Sequence, residues 1–235
     1  MDNKNGIVYL IPTFLDESSM HTIPAYVLDV VKKCNVFFVE NERSARRYLK
    51  KLWREMIIDD YQWYTIHKAE ESVTTPFKQL LQQGKTIGII SEAGCPGVAD
   101  PGQILVSAAH EMKATVQPLV GPSSILLALM ASGMNGQQFR FAGYLPIDNA
   151  ERMNALKELE NDSLKRNSTQ IFIETPYRNN QLLETILKTC KSQTRLCIAV
   201  DITGAGESII TMTVSEWKKK LNDINKKPAI FLLQA

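Results

Sequence analysis

The chain has 235 residues, of which 44% are hydrophobic and 22% charged, and its formal net charge is +2. These values are typical of a globular protein with one or two domains, and they exclude a protein that binds nucleic acid through its overall charge. The four cysteines form no Cys-x-x-Cys pair, which argues against a zinc site or a disulfide framework. The polar N-terminus predicts no signal peptide, and no apolar run approaches the ~20 residues of a membrane span. We therefore expect a cytoplasmic protein.

Short apolar runs alternate with helical patterns in the first half of the chain, which predicts an α/β domain with a parallel sheet. Apolar runs predict strands at residues 6–12, 36–40, 64–66, 87–90 and 114–120. Helical spacing predicts helices at residues 23–33, 42–56, 74–83 and 103–111. These units are sufficient for one domain. We therefore predict two domains, at residues 1–119 and 120–235.

The second half mixes the same strand–helix units with a late hairpin, which predicts a mixed sheet. The predicted strands are residues 139–146, 169–174, 195–201, 208–214 and 228–235. The predicted helices are residues 125–132, 150–165, a segment ending near 189, and 214–221. The polar face of the helix at 150–165 has mixed charge and is expected to be solvated. The Gly-Ala-Gly at 204–206 lies between two late strands, so we interpret it as a hairpin turn and not as a dinucleotide loop.

One stretch organises the first domain, namely the strand at residues 87–90 and the loop at residues 91–102. Ligands in open α/β sheets bind beyond the carboxyl ends of the strands. Three glycines in the loop allow close backbone approach to a ligand, and its two prolines restrict its shape. Glu92 and Asp100 are its only charged residues. We therefore expect a ligand loop here.

The predicted helix at residues 42–56 carries basic residues at i, i+3, i+4, i+7, i+8 and i+11 from Arg43 to Arg54, so that they share one face. This pattern fits an ordinary solvated helix face. It also fits a track for phosphates or an acidic substrate, because the face contains a single sign of charge. The candidate substrate-binding residues on this face are Arg43, Arg46, Arg47 and Lys50.

Several common chemistries are absent from the sequence. There is no phosphate-binding P-loop and no Gly-x-Gly-x-x-Gly after the first strand, and the histidines lack ligand spacing, so we predict no metal. Cys95 has no histidine near it in sequence, which favours a small buried thiol beside a ligand over a nucleophile. Glu40, Glu92 and Glu174 end or follow apolar strands. Each fits a structural acceptor, and together they indicate a polar site at the strands' carboxyl ends, across two domains.

Six segments of the chain resemble one family. SEAGCPGVADPG at residues 91–102 is similar to the SDAGTPGISDPG loop of the ribosomal RNA small-subunit methyltransferase I family. That family belongs to the tetrapyrrole methylase (class III) superfamily of S-adenosylmethionine-dependent methyltransferases. The other matches are YLIPT at 9–13, VENER at 39–43, LVGPSS at 119–124, FAGYLP at 141–146 and ETPYR at 174–178.

The resemblance implies the tetrapyrrole methylase fold, which has two α/β domains with the cofactor in the cleft between them, and a homodimer. It also implies the residues of an S-adenosylmethionine pocket. These are Pro12, Glu92, Ala93, Gly94, Cys95, Ser123, Ser124, Tyr144, Leu145, Phe172, Glu174 and Ala229. Methylation of a ribose 2′-hydroxyl on ribosomal RNA is the expected reaction, with Glu40 or Glu174 as candidate substrate-side carboxylates.

Two alternatives remain, namely methylation of a tetrapyrrole and cofactor binding without catalysis. The tetrapyrrole reading fits the basic helix face, because tetrapyrrole carboxylates also favour a cationic rim. The binder reading rests on departures from the family pattern. Residues 14–17 replace the family's Gly-Asn, Glu92 replaces an aspartate, and the family's late lysine is missing beside Gly204.

Overall fold

The computed structural model describes residues 6–66, 71–220 and 223–235. The chain divides into two compact units, Met1–Ser123 and Ser124–Ala235. Each unit contains a β-sheet covered by helices, so the expected α/β fold class is confirmed. Among the helices in the described ranges, none combines the length and the apolar character that crossing a membrane requires.

The first unit alternates strands and helices, and every element predicted for it is present. Its strands are β1 (Ile7–Ile11), β2 (Val36–Val39), β3 (Gln62–Thr65), β4 (Thr86–Ile90) and β5 (Thr115–Pro118). Its helices are α1 (Tyr26–Val31), α2 (Glu42–Leu52), α3 (Glu71–Gln82) and α4 (Gln103–Glu111).

The strands of the first unit form a parallel sheet in the order β3-β2-β4-β1-β5. Alternate residues of β2 point to opposite faces of the sheet. Phe37 and Val39 pack in the cluster with α1 and α2, whereas Val36 and Phe38 pack in the cluster with α3 and α4. Both faces of the sheet centre are therefore buried, which explains why β1, β2 and β4 are continuous apolar runs rather than alternating ones.

The strand order places β4 at a special position. The connections from β1 to β2 and from β2 to β3 run one way along the sheet, and the next two connections run the other way. Because such crossovers are right-handed, the two pairs of helices cover opposite faces. Strand β4 lies between β2 and β1, whose outgoing helices cover the face that α4 does not. The carboxyl end of β4 is thus flanked by two topological switch points, where ligands bind in open α/β sheets.

The second unit has a mixed sheet, as expected from its late hairpin. Its strands are β6 (Phe139–Tyr144), β7 (Thr169–Ile173), β8 (Arg195–Val200), β9 (Ser208–Thr213) and β10 (Ala229–Gln234). Its helices are α5 (Ser124–Ser132), α6 (Asn149–Arg166), α7 (Asn179–Thr189) and α8 (Val214–Trp217). The strand order is β6-β7-β10-β8-β9, with β6 and β7 parallel and the other neighbours antiparallel.

Three helices are shorter than the sequence pattern predicts. Helix α1 begins at Tyr26 because Ile23 precedes a proline and is extended, as residues before proline usually are. Helix α2 ends at Leu52, since Trp53 is extended. Helix α8 ends at Trp217, beyond which the hydrogen bonds tighten to i→i+3 spacing. The predicted end of α8, Leu221, lies outside the described residues.

The polar face of α6 is not simply solvated, which corrects the expectation for residues 150–165. Glu160 is buried, and its Oε1 accepts hydrogen bonds from Lys191 N (2.8 Å) and the Thr194 hydroxyl (2.5 Å), which replace hydrogen bonds to water. Arg152 is also buried and donates to Ile147 O and Asn149 Oδ1, both at 3.0 Å. Arg152 and Glu160 are therefore interior hydrogen-bonding groups, although the sequence pattern of the helix places them among its solvated residues.

Candidate functional site

The loop at residues 91–102 follows β4 and lies at the switch points of the first sheet. Its start is fixed to the end of β1, because Thr13 N donates to Gly94 O (2.9 Å) and Gly94 N donates to Thr13 O (3.3 Å). The Thr13 hydroxyl also donates to Ser91 O (3.3 Å). Gly94 has a φ of +76°, a region that residues with a β-carbon rarely adopt. The loop therefore has a defined shape at the place where a ligand is expected.

Three carboxylates meet at this edge of the sheet, from Glu40, Glu92 and Asp100. The backbone N–H of Glu92 donates to Glu40 Oε2 (3.0 Å), and the Ser44 hydroxyl donates to Glu92 Oε1 (3.2 Å). Glu92 remains exposed, whereas Glu40 and Asp100 are half-buried. The resulting negative potential suits a cationic ligand.

Burial, together with the charge of Glu40 and to a lesser degree of Glu92, raises the pKa of Asp100 to about 6, although Ser91 partly opposes the shift. Asp100 was noted in the sequence only as one of two loop charges, and its role here was missed. Its neighbours come from distant parts of the chain, so no local signal indicated the raised pKa.

The raised pKa of Asp100 makes a prediction about stability. A carboxyl group with a raised folded pKa stabilises the fold below the unfolded value of 3.8, and this contribution is lost as the pH rises through about 6. We expect Asp100→Asn to raise the free energy of unfolding at pH 7 by about 1–2 kcal/mol, allowing for partial solvent screening. Urea unfolding between pH 4 and pH 7 should show this gain shrinking toward acid pH. The matched control is Asp29→Asn, at an exposed position. Equal gains at both pH values would contradict the prediction.

Cys95 lies in the same loop, and its environment argues against a nucleophile. Its Sγ is 3.5 Å from Pro122 O, and burial with the nearby charge of Asp100 raises the thiol pKa. A raised pKa leaves the group as a thiol at neutral pH, which is the unreactive form. This agrees with the interpretation of a small thiol beside a ligand.

The segment after β5 packs tightly on the end of β1. A β-carbon at Gly121 would lie 2.1 Å from Pro12 Cβ, so the ring of Pro12 occupies the space that a side chain at residue 121 would need. Pro12 is buried, and its carbonyl oxygen accepts a hydrogen bond from the Tyr48 hydroxyl (2.8 Å). The structure thereby brings together most of the predicted site residues of this unit. They are Pro12, Glu40, Glu92, Ala93, Gly94, Cys95 and Ser123.

A cavity of about 300 Å³ opens beside the loop, between the end of β1 and the start of α2. Phe14, Ser44, Tyr48 and Glu92 form part of its wall. Sequence reasoning did not single out Ser44 or Tyr48 as site residues. Tyr48 was recognisable only as a member of the apolar face of α2.

The basic face of α2 is less free than its sequence suggests. Arg47 pairs with Glu17 (3.3 Å), and Lys51 also pairs with Glu17 (3.2 Å). Arg46 pairs with Glu42 (2.5 Å) and lies over the ring of Trp63. The face therefore contains both signs of charge, because Glu17 comes from the loop after β1.

Two other basic residues of the predicted substrate-binding set differ in their surroundings. Lys50 donates to the carbonyl oxygens of Arg54 and Met56, and Arg43 is exposed. The structure thus leaves Arg43 at the surface and engages Lys50 with the segment that follows α2.

The second unit gathers its predicted site residues at one edge of its sheet. Strands β6, β7 and β8 end at this edge and β10 begins there, which brings Tyr144, Leu145, Glu174 and Ala229 to the same side. Tyr144 is 59% exposed and Leu145 is buried. Phe172 differs, because it is fully buried and stacks on Phe231 with ring centroids 5.9 Å apart.

Glu174 is buried and already has strong partners. Its Oε1 accepts hydrogen bonds from Arg178 Nη2 (2.6 Å), Arg178 Nε (3.0 Å) and Thr175 N (2.6 Å). The side chain of Glu174 is 1% exposed and that of Arg178 is 28% exposed. Such a pair holds the turn after β7 in place.

Comparison with known proteins now places the chain in a family. The model of the Tetrapyrrole (Corrin/Porphyrin) Methylases matches residues 18–218. The chain belongs to this family and is an S-adenosylmethionine-dependent methyltransferase. Family members generally use S-adenosylmethionine. The resemblance read from the six segments is thereby confirmed.

Several similar curated proteins carry the name "Ribosomal RNA small subunit methyltransferase I". The protein from Vibrio cholerae serotype O1 is 30% identical over 243 residues, covering 99% of this chain and 80% of that protein. The protein from Micromonospora olivasterospora is 33% identical over 174 residues, covering 74% of this chain. The alignment spans 52% of that relative, about half of its length.

Two solved structures share the fold. Uroporphyrin-III-C-methyltransferase from Thermus thermophilus has a TM-score of 0.56 at 16% identity, covering 97% of this chain and 92% of that one. The methyltransferase CobJ has a TM-score of 0.64 at 15% identity, covering 98% and 94%. At these identities the likeness concerns the fold alone.

Proposed function

We propose that the protein transfers a methyl group from S-adenosylmethionine to a ribose 2′-hydroxyl of small-subunit ribosomal RNA. The observation that carries the cofactor part is the position of the loop at 91–102, at the switch points of a doubly wound sheet. The RNA part is supported by the names of relatives that align with nearly the whole chain at 27–30% identity.

The chemistry of the loop edge fits the proposed cofactor. S-adenosylmethionine carries a sulfonium and an ammonium group, and the carboxylates of Glu92 and Asp100 supply the opposite charge. Gly94 offers backbone without a side chain to a ligand that lies close to it. The cofactor residues proposed in the first unit are Pro12, Glu92, Ala93, Gly94, Cys95 and Ser123. Those proposed in the second unit are Ser124, Tyr144, Leu145, Phe172, Glu174 and Ala229, of which Phe172 would contribute backbone atoms.

Methyl transfer from a sulfonium is an in-line displacement, so that positioning of the acceptor supplies much of the rate. A hydroxyl acceptor also needs a group that takes its proton. Of the two candidate carboxylates, Glu174 is engaged by Arg178. Glu40 is half-buried at the loop edge, and we assign the substrate-side role to it.

The basic face of α2 is the proposed RNA contact, with Arg43, Arg46, Arg47 and Lys50. Phosphates would have to displace Glu17 from Arg47, since the two side chains are paired in the absence of RNA. Glu17 thus acts as a competitor for the phosphates. It belongs to the stretch that departs from the family pattern, so this competition is a property of this chain.

Removing the competitor gives a prediction. We expect Glu17→Gln to tighten binding of a single-stranded RNA oligonucleotide by about threefold to tenfold at low salt, because Arg47 and Lys51 become available to phosphates. The slope of log affinity against log salt should steepen by about 0.7 for each phosphate gained. Fluorescence anisotropy at several salt concentrations measures both. Glu184→Gln, which removes the exposed partner of Lys188, is the matched control, and equal affinities of the two variants would contradict the RNA role of α2.

The reaction itself is tested with tritiated S-adenosylmethionine and three acceptors: small ribosomal subunits, free ribosomal RNA and tetrapyrrole precursors. Labelling of RNA, with the label recovered in 2′-O-methyl nucleosides, is the expected result. Labelling of a base or of a tetrapyrrole would overturn the proposed acceptor. Binding of the cofactor without any labelled product would instead favour a non-catalytic binder.

Two further expectations belong to this proposal. We infer a homodimer from the resemblance to the family, which sedimentation equilibrium of the purified chain tests. Modification of ribosomal RNA takes place where the subunits assemble, so the proposal includes a cytoplasmic location. A monomer at micromolar concentration would contradict the expected homodimer without affecting the proposed reaction.

A further inference from the structure

A second polar cavity lies in the second unit, away from the edge that carries Tyr144 and Glu174. Its volume is about 490 Å³, within the range of pockets that bind small molecules. It lies where β6 and β7 begin and α6 ends. Strand β6 has six residues, so this cavity is about 15–20 Å along the strand from Tyr144.

Gln170 provides the main evidence that this cavity is a binding site. Its side chain is 1% exposed and forms part of the cavity wall. The amide nitrogen donates to the Ser168 hydroxyl (2.7 Å), whereas Oε1 is buried without a hydrogen-bond partner among the described residues. Leaving a buried acceptor unpaired is energetically unfavourable, because the group has lost its hydrogen bonds to water. A ligand that donates an N–H to this oxygen would recover that energy.

Cationic side chains surround the same cavity. Arg140 stands opposite Gln170 in the register of β6 and β7 and is 62% exposed. Its guanidinium is 3.5 Å from the Asp162 carboxylate, an exposed pair of small energetic value. Arg166, in the last turn of α6, is exposed and also lines the cavity. Two guanidinium groups against one carboxylate leave a net positive charge, and guanidinium groups bind phosphate in a bidentate manner.

An aromatic ring completes the set of groups. Phe139 begins β6, which is an edge strand, and is 43% exposed beside the cavity. Exposed aromatic rings on a sheet are platforms on which unpaired bases stack. The cavity therefore combines a phosphate-binding charge, a stacking surface and an amide that can read a base edge.

We infer that this cavity binds one nucleotide of single-stranded RNA. The phosphate contacts Arg140 and Arg166, the base stacks on Phe139, and a base N–H donates to Gln170 Oε1. The inference rests on the proposed function, since it assigns the RNA substrate a second contact outside the site of methyl transfer.

The test follows the side-chain amide of Gln170 by nitrogen-15 NMR, with the signal assigned by its loss in Gln170→Leu. Cytidine 5′-monophosphate is the probe. We expect a saturable shift of this amide in the wild-type chain, and at least fivefold weaker binding in Arg166→Gln. Lys188→Gln removes another exposed cation of the same unit and should bind as the wild type does. Ribose 5-phosphate, which lacks a base, should leave the Gln170 amide in place.

An unmoved Gln170 amide at saturating nucleotide would overturn the inference, and so would an equal shift with ribose 5-phosphate. Gln170→Leu provides an independent check. A purely structural glutamine would leave RNA affinity unchanged, whereas the inference predicts weaker binding of a labelled RNA oligonucleotide with equal or higher thermal stability. The NMR result does not depend on catalysis. If the protein methylates RNA but the Gln170 amide does not shift, only this inference is contradicted. If the protein binds the nucleotide but labels no RNA, only the proposed function is contradicted.

Discussion

Arg178→Met should lower the free energy of unfolding by about 3 kcal/mol, because it leaves the Glu174 carboxylate buried without its guanidinium partner. Among the described residues, the remaining donor to Glu174 would be the backbone N–H of Thr175, which cannot replace two charge-assisted hydrogen bonds. Urea unfolding of the wild type and variant measures the difference. Lys188→Met breaks the exposed pair with Glu184 and should cost less than about 0.5 kcal/mol.

A double-mutant cycle separates a structural from a chemical role of Glu174. If its function is to hold the turn, Glu174→Gln combined with Arg178→Met should be more stable than Arg178→Met alone, with a coupling of about 2 kcal/mol. Methyl transfer by the Glu174→Gln variant should then fall only as far as its cofactor binding falls. Abolished transfer with unchanged cofactor binding and stability would contradict this account and make Glu174 a catalytic group.

Gly121→Ala is expected to have the second large effect. The added β-carbon would lie 2.1 Å from Pro12 Cβ and 2.5 Å from its Cγ. The neighbouring backbone must move by more than an ångström, at a cost of about 2–3 kcal/mol in unfolding free energy. Because Pro12 and Ser123, on either side of this contact, both belong to the proposed cofactor site, affinity for S-adenosylhomocysteine should fall by at least about tenfold.

Gly136→Ala controls for the loss of a glycine, since a β-carbon there meets open space. It should unfold and bind S-adenosylhomocysteine as the wild type does. A folded Gly121→Ala variant with wild-type affinity would show that the close approach of Pro12 and Gly121 plays no part in the cofactor site.

The sequence predicted the three central strands of the first sheet well, because β1, β2 and β4 are short apolar runs that are mostly buried. It also located the loop after β4, since glycine and proline mark backbone requirements that are local. The ends of helices were harder. Ile23 precedes a proline, a local signal that places the start of α1 after residue 23 and that the predicted helix did not take into account. The early end of α2 depends instead on the extended backbone of Trp53.

The electrostatics of the site were beyond sequence reasoning because the partners lie far apart in the chain. Glu17 neutralises part of the α2 face from 34 residues away from Lys51. The neighbour that raises the pKa of Asp100, Glu40, follows a different strand. Gln170 lies in a buried strand, as its sequence pattern predicts, and only the packing shows that its side-chain oxygen has no partner among the residues that the structure describes.

The central claim is that this chain binds S-adenosylmethionine through the loop after β4. Isothermal titration calorimetry with S-adenosylhomocysteine tests it most directly, with Gly121→Ala and Gly136→Ala measured beside the wild type. The account predicts saturable binding at one site per chain, lost or weakened at least about tenfold in Gly121→Ala and retained in Gly136→Ala. Absence of binding by the folded wild type at millimolar ligand would contradict it.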